Sequence, residues 1–225
     1  MNELLFFSHI VFIISFTLIA LKTGKEMLSA CICLQIVLSN LFVTKEITLF
    51  GLNVTSCEAY TVGAFLSLNL LQEFFTKKAV RKALWACLFC MAFFVIISQL
   101  HIRYTPSEFD NTHLAFEQIL SRTPRIFLAS IASYFIALFL DLKLFQRIKD
   151  KWPQRPLWVR MLSTTFISQF IDTVIFAFLG LFGIVHNIWH IIAMAYTIKI
   201  ITTLALTPMT LIAKRLAGPP TYETT

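Results

Sequence analysis

The chain has 225 residues, of which 57% are hydrophobic and only 14% charged, and carries a formal net charge of +7, whereas a soluble globular chain carries about 25% charged residues. With a mean hydropathy of +0.76, this composition leaves no room for a soluble domain of independent size, because most of the chain is spent on apolar runs near the roughly 20 residues that cross a hydrocarbon core. Nor does the positive balance call for nucleic acid, since basic loops lying against anionic lipid headgroups account for it.

Lipid cannot hydrogen-bond a backbone, so spanning segments are helices or closed barrels, and continuous apolar runs without period-two alternation select helices. The first run, 4–21, has the length of a signal peptide. Asn2 and Glu3 replace a basic leader, however, and no small-residue cleavage site precedes Lys22, so a retained helix is expected. Further spans are expected at 27–44, 56–75, 83–100, 124–145, 162–184 and 188–212. Between them, 101–123 is the longest polar connection, and 114–120 within it has the pattern of a short interfacial helix. The fold expected is thus an all-α polytopic bundle forming one transmembrane domain over 1–225. It comprises an extra N-terminal span at 4–21, a six-helix core at 27–213 and a short tail at 214–225.

Orientation follows from the cations, because Lys and Arg in short loops are retained on the cytoplasmic side. One set of alternate connections carries Lys22, Lys25, Lys77, Lys78, Arg81, Lys82, Arg147, Lys149, Lys151, Arg155, Arg160, Lys214 and Arg215, thirteen in all. The other set carries Lys45, Arg103 and Arg122, with Arg125 at a helix edge. An N-terminus outside, a C-terminus in the cytoplasm and seven spans are expected.

An ionisable group near the bilayer centre costs roughly 2.5 to 3.5 kcal/mol on insertion scales, so each one marks a candidate site. Asn40 in the second span needs a partner, either a ligand or a neighbouring helix. The third span is bracketed by Glu58 and Glu73, about 22 Å apart along a helix axis, so neither need lie deep. Asn69 shares the face of Glu73. Glu73 either meets a ligand or pairs at the interface with the following lysines. In the fifth span Arg125 either faces a ligand at the outer mouth or snorkels to headgroups, and Tyr134 shares a face with Ser130 and Asp141. The sixth and seventh spans carry Asp172, with Gln169 one turn earlier, and Lys199. A very short connection near His186 and Asn187 makes these two spans antiparallel neighbours, so Asp172 and Lys199 lie at similar depth and can pair, either for function or as a structural ion pair.

Several activities lack their residues. The histidines have no metal-ligand spacing, and the Cys87–Cys90 pair is solitary within a span, so no metal or other cofactor is expected. Walker A, GxSxG and dinucleotide-loop patterns are absent. A membrane-embedded enzyme is the rival from another class, but the nucleophile and base pair or metal cluster it needs is not found; a structural assembly subunit is a third, and it leaves Asp172 and Lys199 unexplained except as glue.

The order and spacing of these elements resemble the queuosine precursor transporter family, vitamin-uptake-like transporters related to the substrate-binding subunits of energy-coupling-factor transporters. The resemblance covers about 38–212. It is carried by Ser39-Asn40, Asn69-Leu-Leu-Gln-Glu73 with the basic run to Arg81, Arg125-Ile-Phe-Leu-Ala-Ser130-Ile-Ala-Ser-Tyr134, Ser163-Thr-Thr-Phe-Ile-Ser-Gln169-Phe-Ile-Asp172, Lys199 and Pro208. Many relatives carry Asp where this chain has Asn69 and Gly where it has Thr76. The resemblance implies import across a bacterial inner membrane of 7-deazaguanine bases (the cyano or aminomethyl precursor, or queuine) for tRNA modification, with no direct contact to nucleic acid. It implies binding through Asn40, Asn69, Glu73, Arg125, Tyr134, Gln169, Asp172 and Lys199. The partners expected are that deazapurine and the bilayer, with an ATPase coupling module or a second copy as further partners; a substrate-binding subunit of an energy-coupling-factor vitamin transporter is the alternative.

Overall fold

A computed structural model describes the backbone of residues 1–151, 154 and 157–217; side chains are described except at 77, 138, 141, 142, 145, 146, 149, 157–162 and 205–217. Asp141 and Pro208, singled out in the sequence, fall among those exceptions.

The apolar runs become helices: α1 Asn2–Thr23, α2 Lys25–Phe42, α3 Glu58–Phe74, α4 Lys77–His101, the short α5 His113–Leu120, α6 Thr123–Lys151, α7 Leu157–Phe176 and α8 Ile188–Ala217. Among the described residues, four stretches, 2–23, 25–42, 78–101 and 163–181, are long and apolar enough to cross a membrane. Phe7, Phe12, Phe16, Trp85, Phe89 and Phe93 stand exposed on such stretches, as side chains do when the solvent is lipid. The chain is a helical, multi-pass membrane protein.

Boundaries have local causes. Gly24 alone separates α1 from α2 at φ +129°, a conformation that side chains other than hydrogen disfavour. Thr76 opens α4, its Oγ1 accepting the amide N–H of Ala79 at 3.2 Å. Asp110 accepts the Thr112 amide and hydroxyl, each at 2.8 Å, which lowers its carboxyl pKa and shapes the turn into α5.

α1 is built into the bundle. Gln35 Nε2 on α2 donates to Thr17 Oγ1 on α1 at 3.1 Å, Thr17 Oγ1 and Ser67 Oγ on α3 share a hydrogen bond of 3.2 Å, and Ser67 Oγ donates back to Gln35 Oε1 at 3.5 Å. In a dry interior such a closed polar ring fixes three helices against one another.

Two features were not expected from the sequence. First, 46–55 is no plain loop but an antiparallel hairpin, β1 Glu46–Leu49 and β2 Leu52–Thr55, with Ile47 opposite Val54 and Leu49 opposite Leu52. Phe50 and Gly51 turn it at φ 50° and 79°, the two left-handed residues of a type I′ connection. Leu49 and Val54 are completely buried in a cluster with Phe6, Ile13, Val62, Met194 and Ile198. Polar ties run from Asn2 Nδ2 to the Thr48 carbonyl at 3.0 Å and from the His186 amide to Glu46 Oε1 at 2.9 Å. The hairpin therefore lids the end of the bundle where α1 begins and α8 begins. Second, the sixth span ends in a π-helical stretch, Ala177–Leu181. A Cβ on Gly180 would stand 3.2 Å from that of Ala129, so glycine lets this stretch lie directly on α6.

Candidate substrate-binding site

A cavity of about 390 Å³ lies among α2, α3, α4, α6, α7 and α8, within the range of small-molecule sites. A larger cleft of about 1130 Å³ opens between the far ends of α2 and α4 beside Lys25, Lys78 and Lys82. Its lysines sit at the solvated ends of their helices, whereas the smaller cavity is lined by the deeply placed charges Glu58, Asp172 and Lys199, which makes it the candidate site.

The centre of its wall is an ion pair. Lys199 Nζ donates to Asp172 Oδ2 at 2.7 Å and to Thr173 Oγ1 at 3.0 Å. The two side chains are only 13% and 21% exposed, so their attraction is poorly screened. The packing of α7 against α8 brings them to one depth, as the short connection between the spans leads one to expect. No hydrogen bond from a described residue falls on Asp172 Oδ1, which is left for a ligand donor.

Asn40 and Ser130 add a polar rim on the facing helices, with Ser130 Oγ donating to Asn40 Oδ1 at 3.3 Å while Asn40 Nδ2 donates to its own helix at the Ile36 carbonyl. Phe65, Phe127 and Phe176 supply apolar wall, and Tyr134, half exposed, stands where the cavity opens. The structure thus gathers Asn40, Tyr134, Asp172 and Lys199 from four helices around one space.

The other four candidates lie elsewhere. Asn69 donates to the Phe65 carbonyl of its own helix at 2.8 Å, and Glu73 is exposed near the end of α3. Gln169 points off the cavity, its Oε1 buried without a partner among the described residues. Arg125 donates from Nε to the Leu179 carbonyl and from Nη2 to the Phe182 carbonyl, both at 2.8 Å. A π-helical end exposes carbonyls that lack an intrahelical donor, and the guanidinium fork meets two of them. Arg125→Lys keeps the charge but not the fork. Its expected effect is a loss of about 1 kcal/mol of stability, because these charge-assisted bonds are partly open to solvent. The apparent melting temperature in detergent should fall by a few degrees, with ligand affinity of the folded fraction unchanged.

Glu58 joins the wall instead. Its residue is 5% exposed, and Thr55 Oγ1 donates to its Oε1 at 3.2 Å. On sequence it stands near the start of a span, where water is expected; the hairpin lid is what buries it, and nothing in the run of residues around Cys57 and Glu58 announces that lid.

Residues 55–213, which include Glu58, Asp172 and Lys199, match the family model described as "Putative vitamin uptake transporter". The chain belongs to the vitamin uptake transporter family. It is accordingly a transporter and not an enzyme. A relative in this family, "Probable queuosine precursor transporter" of Bacillus subtilis (strain 168), is 31% identical over 198 residues, covering 86% of each chain. No solved structure matches the chain at a significant level. The family match begins at the end of the hairpin and omits α1 and α2, so Asn40 is a part of the transporter's cavity that the family model does not span.

Proposed function

We propose that this transporter imports a 7-deazaguanine base, a precursor of queuosine, across the bacterial inner membrane through seven spans, with the N-terminus outside and the C-terminus in the cytoplasm. The observation that carries the reading is the cavity at the Asp172–Lys199 pair, of a size suited to one bicyclic base. The named substrate of the Bacillus subtilis relative supports the choice of base.

A guanine-like edge presents an amide N–H and an exocyclic amine, and a carboxylate with an open oxygen accepts both. Asp172 Oδ1 is that oxygen. Lys199, held against Asp172 at 2.7 Å, gives that carboxyl a charge-assisted partner in the dry wall and leaves its own remaining N–H capacity for a base carbonyl. Asn40 and Ser130 face the base with an amide and a hydroxyl, and Tyr134 with the phenylalanines supplies ring faces for stacking. In this orientation the hairpin lid is the outer end, and the Gly24 and Thr76 turns, with their lysines, are the cytoplasmic end, in keeping with the thirteen cations.

The test is uptake of labelled queuine and of the cyano and aminomethyl bases into cells lacking a transporter of their own. Accumulation above the empty-vector control is expected for at least one of them. If none enters, the substrate reading fails.

A further inference from the structure

The charges on the cavity wall do not cancel. Asp172 and Lys199 pair at 2.7 Å, and Glu58 adds a second acidic group within electrostatic reach of the same Lys199, so that one lysine serves two acids. Among the described residues, the elements packed around it bring no second cation. α1 presents His9, whose ring lies edge-on to Tyr60 with centroids 4.7 Å apart. The cavity that Glu58 lines receives neutral Ser39 from α2, Cys87 from α4, Ser130 and Tyr134 from α6, Asp172 from α7 and, from α8, Lys199, which donates to Asp172 and Thr173 while also attracting Glu58. Its neighbours along the chain are Thr55 at the end of β2, Cys57 just ahead of α3 and Tyr60 on α3.

The hydrogen bonding of Glu58 is one-sided as well. Thr55 Oγ1 at 3.2 Å and the Cys57 thiol at 3.9 Å both end on Oε1, and no described residue donates to Oε2. The amides at the start of α3 favour a negative group there, but a surface-scale dipole effect does not by itself offset what it costs to hold a charge on a carboxyl group buried this deeply. A purely structural cap would have both oxygens engaged, or would be Ser, Thr, Asp or Asn. Glu58 instead brings an open oxygen to the same cavity that holds the Asp172 pair.

We infer that Glu58 is the cation-accepting residue of this cavity, its Oε2 receiving a positively charged amine on the ligand while the Asp172 side of the cavity receives the base edge. The inference rests on the import reading above and narrows it: the preferred ligand is a deazaguanine whose side arm carries an ammonium group, in place of one with a neutral nitrile. The ligand then supplies the second positive charge for a wall that holds two acids and one lysine, as a charge-assisted hydrogen bond in a poorly screened site.

The aminomethyl and cyano bases share a ring and an arm of similar length and differ in charge, so direct binding of each to the purified full-length protein in lipid nanodiscs reads the inference. The parent should bind the aminomethyl base at least about tenfold more tightly than the cyano base. Glu58→Gln should erase that ratio by weakening the amine alone, with nitrile affinity kept within about twofold. Equal affinity of the parent for both bases overturns the inference and leaves the import reading intact, as does an equal loss of both in Glu58→Gln. Binding of neither base by the parent overturns both. Because the parent's ratio is decisive by itself, failure of Glu58→Gln to fold does not shelter the idea. Glu58→Asp, which keeps the charge, should retain part of the preference.

Discussion

Asp172→Asn is expected to abolish uptake while leaving the protein in the membrane. Asparagine fills the same space, but it replaces an acceptor-only group by one that presents an amide, so the open oxygen that would take two N–H donors from a guanine-like edge is no longer anionic. Hydrogen bonds to a charged partner contribute about 1.5 to 3 kcal/mol each, and losing the charge at two of them lowers affinity by roughly a hundredfold or more. The complication is Lys199, which loses its counter-ion at 2.7 Å. Breaking a buried pair from one side costs about 3 to 5 kcal/mol, much of it the penalty of the charge left behind, so poor folding could imitate a lost site. Lys199→Met combined with Asp172→Asn separates the two effects. Removing both charges relieves the penalty, and the double variant should recover most of the parent's melting temperature in detergent. Labelled-base uptake should stay at background. A double variant that transports as well as the parent would reduce the pair to structural glue and sink the site assignment.

How far this site was legible in the residues depends on the kind of signal each one carries. Asp172 and Lys199 announce themselves because charge in an apolar run has no other explanation, and the shortness of the 185–187 connection is enough to bring their helices together. The long helices are legible for the same reason, since length and hydropathy alone specify them. The hairpin is not, because four-residue strands flanked by spans carry too little pattern, and it is the tertiary burial of Leu49 and Val54 that holds them. With the hairpin goes Glu58, whose depth depends on that lid. Arg125 illustrates a third case: its charge was visible, but its partners are backbone carbonyls freed by a π-helical stretch, and neither the stretch nor the carbonyls are written in side-chain chemistry. Gln169 shares a helix with Asp172, yet a spacing of three residues leaves room for one to face the cavity and the other a neighbouring helix.

The role of α1 is open to the same kind of test, and the largest effect on folding is expected at Gly63. A Cβ there would collide with Ile13 Cγ2 on α1 and would lie 2.9 Å from Gln35 Oε1 on α2. Ala59, Gly63 and Ser67 follow one another at intervals of four, a stripe of small residues that lets helices approach closely, and Ala59 and Ser67 are completely buried. Without a hydrophobic driving force between helices in lipid, such close packing and the Thr17–Gln35–Ser67 ring are what hold α1 in place. Gly63→Ala should therefore cost about 1 to 3 kcal/mol through overpacking, and Gly63→Leu should prevent accumulation of folded protein. Ile13→Ala removes the colliding methyl group, so in combination with Gly63→Ala the loss should be smaller than the sum of the single losses by more than about 0.5 kcal/mol. Strict additivity would mean that α1 does not meet α3 at this point. Coupling would make the extra N-terminal helix a clamp on α3, the helix that begins with Glu58, and would predict that weakening the clamp lowers base affinity from a distance of one and a half helical turns.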